Sequence, residues 1–294
     1  QIHSQQDYLA SQYNFNSLML NPAYAGAHPY LQTSTMYRNQ WKVEGAPTTQ
    51  IICADGRLKK VPIGLGFTLT SDKIGVVRER VISLDASYHF RTGWGKFSFG
   101  LRAGHVGYFA ALDELVYWDE DDPIYNNGNI KEGFLTLGFG AFASSNSGKW
   151  FGGISIPEHY ARDHTLRSAP ETRFYKRHIY LYGGGVLTFN NLELKPSVLI
   201  RHMETNPMLM DMNLHVSVVD KESKGLQVWL GAGVRTNQSF LVSCEANLPN
   251  NLRVGYSFDV AGKGLYQNLG ATHEIQIGFN FGGSTTVIQS PRYF

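Results

Sequence analysis

Any chemistry in this chain has to be assembled from a few clusters of reactive side chains. The densest is Asp113-Glu114-Leu115-Val116-Tyr117-Trp118-Asp119-Glu120-Asp121-Asp122, with six carboxylates in ten residues. Calcium takes carboxylate oxygens as ligands, so Asp119, Asp121 and Asp122 are weak candidates. The EF-hand spacing with its glycine is absent, and a solvated acidic loop without metal is the preferred reading. His159, His164 and His178 share one stretch but lack the i, i+4 pairing that aims two imidazoles at one zinc ion. Gly183-Gly184-Gly185 would cradle a phosphate only if a helix N-terminus followed, and none is read there. Glycines that make room inside a barrel strand fit the run better.

No G-x-S-x-G elbow occurs, and no local signal groups a Ser, a His and an Asp. Paired carboxylates for glycoside hydrolysis stay open, although nothing points to them. The chain is therefore expected to be no enzyme and to carry no cofactor. Cys53 and Cys244 stand far apart outside any C-x-x-C pattern and are read as unpaired. The 26 basic and 24 acidic residues are scattered without a basic stripe, so nucleic acid is not an expected partner.

The elements that must position these residues read as strands. In Lys96–Ala103, Phe97, Phe99, Leu101 and Ala103 alternate with Lys96, Ser98, Gly100 and Arg102. The same alternation returns at 63–70, 226–235, 252–259 and 274–281, and the second face is small or polar each time. Less regular candidates cover roughly 30–42, 47–59, 76–91, 132–145, 149–156, 173–190, 192–203, 208–220 and 239–247, for about fourteen strands in all. An even count suits a closed antiparallel barrel.

No apolar run approaches the ~20 residues of a membrane helix, and charged residues make up only 17% of the chain. A soluble sandwich would place Lys and Glu on its polar face, whereas here that face is largely Gly, Ser and Thr. The pattern therefore predicts an all-β, antiparallel transmembrane barrel of the bacterial outer membrane, surrounded by outer-membrane lipid and lipopolysaccharide. Short turns such as 92–94, 190–191 and 249–251 contrast with long connections at 110–131 and 157–172, as on the two rims of such barrels. Trp41, Tyr88, Phe90, Trp94, Trp150, Phe151, Tyr180 and Tyr182 are candidates for interfacial girdles. The inner face would carry Asp85, Arg102, Asp211, Arg235, Arg253, Asp259 and Glu274, a near-balanced set expected to pair structurally rather than to form a selectivity filter.

Residues 1–29 lack clean alternation and are read as a periplasmic segment or a lumen plug, residues 30–283 as the barrel and 284–294 as a tail. The export signal is expected to have been removed already, since Gln1 is followed by no basic and apolar leader. Asn21, Pro22, Ala23, Tyr24, Ala25 and Gly26 are expected to fold into the barrel, or else to meet a partner.

The run Gln5-Gln6-Asp7, then Ser11-Gln12-Tyr13 and Leu20-Asn21-Pro22-Ala23-Tyr24-Ala25-Gly26, resembles the N-terminal region of the PorP/SprF family of type IX secretion outer-membrane proteins. Leu194-Lys195-Pro196-Ser197, Asp211-Met212-Asn213, Trp229-Leu230-Gly231, Gly255-Tyr256-Ser257-Phe258-Asp259 and His273-Glu274-Ile275 follow in the family's order. The acidic run 113–122 and the tail from Ser284 depart from it. The resemblance implies a fourteen-stranded barrel similar to FadL-type fatty-acid transporters. It implies partners among type IX secretion components and secreted gliding adhesins, bound through a type B C-terminal domain. A transporter of hydrophobic small molecules and a soluble all-β enzyme or lectin are the alternative readings, because fold does not fix function.

Overall fold

The structure, a computed structural model, describes residues 12–13, 15–41, 43–114, 129–163, 178–203, 206–218, 226–236, 239–261 and 270–282. Its strands are β1 Leu31–Gln40, β2 Thr48–Arg57, β3 Ile63–Ile74, β4 Val77–Arg91, β5 Gly95–Ala110, β6 Ile130–Ser145, β7 Trp150–Asp163 and β8 His178–Gly185. They continue as β9 Leu187–Phe189, β10 Leu192–Met203, β11 Asn206–Val218, β12 Gln227–Arg235, β13 Ser239–Asn247, β14 Leu252–Ala261 and β15 Thr272–Phe281. Neighbours pair antiparallel, β15 returns to β1, and β10 joins β11, so the sheet closes on itself. β8 and β9 both pair with β10 and form one strand broken at Val186, which leaves a fourteen-stranded barrel. Closure matters physically because a sheet edge in lipid would strand backbone donors and acceptors without water.

Alternation sorts the two faces. Leu84, Leu101, Leu230 and Val242 point outward and are more than 60% exposed, whereas Asp85, Arg102, Arg253 and Glu274 point inward and are buried. Exposed aliphatics around buried charges invert the soluble arrangement and are stable only with lipid outside. No helix among the described residues is long and apolar enough to cross a membrane. Cys53 is buried and Cys244 exposed, and both are free thiols.

Two sequence expectations are corrected. Phe151, Tyr180 and Tyr182 do not join a lipid-facing girdle: they are buried inside, where Tyr182 stacks on Phe142. Phase rather than residue type decides, since Trp150 points outward and its neighbour Phe151 must point inward. In addition, β7 runs to Asp163 through a stretch read as loop from 157. Leu137 pairs with Tyr160 but Phe139 pairs with Ile156, so Pro157–His159 face Gly138 alone in a bulge of two extra residues, which interrupts the ladder without changing its phase. Gly138 opposite has no Cβ because one there would overlap the Pro157 carbonyl.

The three longest connections, 111–129, 164–177 and 262–271, all join strand ends on one rim. The opposite rim carries the turns 58–62, 92–94, 146–149, 190–191 and 248–251 and the connection 219–226, together with the start of β1 and the end of β15. Asn190 and Asn251 adopt positive φ of 52° and 66° in two of these turns, a conformation asparagine tolerates better than most residues.

A charge placed on the outer face tests this assignment. Leu101→Arg near the middle of β5 should cost about 2–4 kcal/mol in lipid vesicles. Denaturant titration with vesicle-reconstituted protein measures it, and a cost below about 0.5 kcal/mol, the range of ordinary surface substitutions, would exclude a lipid-facing position.

Candidate functional site

The barrel is not empty. The chain ahead of β1 runs through the turn-bearing half of the lumen, where Tyr13, Phe15, Leu18, Ala23, Tyr24 and Ala25 are buried. Two short 3-10 helices, Ser17–Met19 and Pro22–Tyr24, form its body, each capped by an asparagine. The Asn16 side chain accepts from the Leu18 amide and donates to the Ser34 hydroxyl. The Asn21 carboxamide accepts from the Ala23 amide at 2.9 Å and donates to the Ala141 carbonyl at 2.9 Å. Asparagine thus caps the helix and fastens it to β6, a double task that Ser or Asp cannot perform with an N–H donor. Pro22 occupies the first helical position, where a missing amide costs nothing.

A backbone carried into the lumen must find partners for its carbonyls, and each one from Ser17 to Gly26 has one. Ser17, Asn21, Pro22 and Tyr24 carbonyls accept from amides three or four residues on. The barrel wall supplies the rest. Arg102 donates to Leu18 at 2.6 Å and to Met19 at 3.3 Å. Ser155 donates to Leu20 and Ser98 to Ala23, each at 2.6 Å. Ser87 and His89 serve Ala25, and Arg57 donates to Gly26 at 2.8 Å. Asp55 accepts from the Gly26 amide at 3.0 Å.

Wall glycines let the two backbones approach. A Cβ on Gly100 would overlap the Pro22–Ala23 peptide, one on Gly64 the Ala25 carbonyl, and one on Gly140 the Asn21 side chain. Gly26 itself sits at φ +66°, and its own Cβ would come within 2.6 Å of the Gly64 Cα. Tyr24 packs edge-on against Phe142 at 5.7 Å between ring centroids and reaches His28 with its hydroxyl. Burial pushes the Tyr13 phenol up to about 12 and holds that of Tyr24 well above its ordinary value, and the Tyr13 hydroxyl donates to Ser197 at 3.1 Å.

On the loop-bearing side of this segment the charges form a connected ladder. Arg201 and Arg235 share Asp211 at 3.0 and 2.9 Å, Arg235 reaches Asp259 at 3.0 Å, and Arg38 lies 3.8 Å from Asp259 and 3.0 Å from Glu274. Glu274 also accepts from the Gln12 amide at 3.1 Å, which ties the ladder to the segment. Arg102 forms a fork on Asp85 at 2.7 and 3.1 Å. Arg253 pairs with Glu245 at 3.4 Å, donates to the Phe15 carbonyl and stacks over the Phe15 ring at 4.2 Å.

All seven charges assigned to the inner face from sequence lie there, and the structure adds Arg38, Asp55, Lys195, Arg201 and Glu245. Arg38 was obscured because β1 points Met36 inward and Thr35 outward, which blurs its alternation. Asp119, Asp121, Asp122 and His164, like most of the acidic run, lie outside the described residues.

Arg102→Met removes a donor to two carbonyls and leaves Asp85 buried without its partner, a loss of about 3–5 kcal/mol. Adding Asp85→Leu should restore much of the barrel's stability in thermal unfolding but not the hold on the segment. Ala23→Cys, in a chain lacking Cys53 and Cys244, should then react several-fold faster with an impermeant maleimide than it does with Arg102 present. Equal rates would show that Arg102 does not retain the segment.

No curated protein matches the chain. Among solved structures, a Pseudomonas aeruginosa FadL homologue aligns with TM-score 0.50 at 10% identity, covering 92% of this chain and 94% of that one. The Acinetobacter baumannii outer membrane protein Omp33 aligns with TM-score 0.48 at 8% identity, over 87% of this chain and 100% of that chain. The first likeness is one of fold, a FadL-like outer-membrane barrel. The family model for type IX secretion system membrane protein PorP/SprF matches residues 2–279. The chain is a member of the PorP/SprF family, a secretion-related barrel of the outer membrane.

Proposed function

We propose that this chain is a non-enzymatic accessory barrel that binds a secreted surface protein and retains it at the cell surface. The partner is a gliding-adhesin type of substrate, recognised through a type B C-terminal domain, and the barrel works beside other type IX secretion components. The observation that carries this reading is the filled lumen. Among the described residues, a segment anchored along its backbone from Leu18 to Gly26 and backed by an ion-paired layer occupies the lumen, which favours a barrel that conducts little. The working surface is therefore a rim. In outer-membrane barrels long loops face outward and short turns face the periplasm, which places the connections 111–129 and 164–177 outside. In this reading residues 1–29 serve as the plug, 30–283 as the barrel and 284–294 as a tail.

The alternative, transport of hydrophobic small molecules, needs an apolar route through the lumen. The described lumen does hold apolar residues such as Met36, Phe142, Tyr182, Leu199 and Trp229, but they pack in one cluster with the plug's Tyr13, Leu18 and Tyr24, and the ion-paired layer lies beside them.

Two measurements test the reading. In planar bilayers the intact protein should show little conductance, while a variant lacking residues 12–26 should open steps at least severalfold larger; a large stable pore in the intact protein would contradict the plug. Deleting the gene should leave adhesin synthesis intact and abolish its display, as read by surface labelling. Unchanged display would overturn retention.

A further inference from the structure

Outside the lumen, at the turn-bearing rim, β2 carries two small outward residues in succession, Ala54 and Gly56. Their neighbours across the sheet are large. Ala54 pairs with Phe67 and Gly56 with Leu65 on β3, while Leu31 and Phe281 pair with each other on the far side. Leu31, Leu65 and Phe281 are close to half exposed. A Cβ on Gly56 would stand 3.4 Å from the Leu31 Cα, in ordinary van der Waals contact, so glycine leaves the floor lower there than a large side chain would. The pairing of β1 with β2 stops at Gln32–Asp55, and beyond it Pro29 and Tyr30 line the gap as the chain comes from the plug. The result is a furrow of about 630 Å³ along the outer face of β2, with Leu58 and Lys59 at its rim end.

We infer that this furrow is a binding site for one phospholipid of the leaflet at the turn-bearing rim, with an acyl chain along Ala54 and Gly56 and the phosphate at Lys59. Its position on the lipid-facing wall means that hydrocarbon is already the solvent there. The aliphatic and aromatic walls match a chain, and the exposed ammonium of Lys59, next to Lys60, matches an anionic headgroup at the interface. At Leu230 and Val242 large outward side chains fill such a space, whereas on β2 Ala54 and Gly56 leave it open beside Leu31, Leu65 and Phe281. Arg57 and Asp55 line the same furrow and hold Gly26 on the inside, so the site abuts the anchor of the plug. The choice of phospholipid over lipopolysaccharide rests on the rim assignment made for the proposed function.

Native mass spectrometry of the whole protein, released from detergent in the presence of palmitoyl-oleoyl-phosphatidylglycerol, tests it. The parent should keep one lipid after delipidation. Lys59→Glu should lower the retained fraction about fivefold, the factor that ~1 kcal/mol makes, and Gly56→Leu should abolish retention. Val242→Leu, four strands away on β13, should change nothing. Heat-modified migration on gels checks that each variant is a closed barrel; should Gly56→Leu fail to fold, the exposed Lys59→Glu decides alone. Equal retention by all variants would mean ordinary annular lipid and overturn the site. Preferential retention of lipid A would overturn the phospholipid assignment, and a protein dimer lost in Gly56→Leu would assign the furrow to a second copy. Adhesin display by a strain carrying Lys59→Glu should stay normal, which separates failure of this site from failure of the retention reading.

Discussion

A polypeptide folded into the lumen of a barrel gives up water around its peptide groups, and each carbonyl left without a donor would cost about 1–3 kcal/mol. That constraint organises this molecule. Where the plug can bond to itself it does so, in two short 3-10 turns. Elsewhere the wall must supply a donor at the right height, and Ser87, Ser98, Ser155, His89, Arg57 and Arg102 occupy those heights on four different strands. Serine is a suitable choice, since a short hydroxyl donates without holding the backbones apart. The same demand for close approach explains the glycines at 64, 100 and 140, whose absent side chains are the space the plug fills.

Buried charge obeys a related rule. An isolated ion in such an interior costs several kcal/mol, and removing one member of a pair transfers that cost to the other. The ladder from Arg201 through Asp211, Arg235, Asp259 and Arg38 to Glu274 has no isolated member, because Asp211 and Asp259 each serve two guanidinium groups. It spans β10, β11, β12, β14, β1 and β15, so it braces the part of the wall that includes the seam where the chain's last strand meets its first. Through the Glu274 bond to Gln12 it also closes over the plug from the loop side. Plug and ladder are therefore stacked layers of one interior, with different chemistry: backbone bonding below, ion pairing above.

The barrel was legible in the sequence because alternation with period two survives wherever lipid is on one side and small polar groups are on the other. Gly95–Ala110 and Leu252–Ala261 show it cleanly. It fades where the lumen takes apolar residues, as with Met36 in β1 and with Leu199 and Met203 near Arg201 in β10, and there the inward charges went unread. It is interrupted at the Pro157 bulge, where two extra residues break the ladder without changing its phase and carry no local composition signature. Phe151, Tyr180 and Tyr182 look like girdle residues by type, and only their register turns them inward. The plug motif stood out as irregular, but nothing in a linear string pairs Asn21 with Ala141 or Ala23 with Ser98, contacts separated by 120 and 75 positions.

The end of β2 shows how the two sides of the wall are linked. Over Ala54-Asp55-Gly56-Arg57 the alternation assigns Asp55 and Arg57 to the lumen, where both grip Gly26, and Ala54 and Gly56 to the lipid side. Gly26 needs its positive φ to leave the plug and head for β1, so the strand beside that exit cannot also be fully paired to β1. The unpaired end of β2 is a geometric consequence of admitting the chain into the lumen at this rim. The furrow outside lies where that pairing ends, and Pro29 and Tyr30 line it as the chain passes from the plug to β1. A barrel closed by its own N-terminal segment thus acquires an opening in its outer face where that segment passes the wall, and the small residues at 54 and 56 keep the opening unfilled.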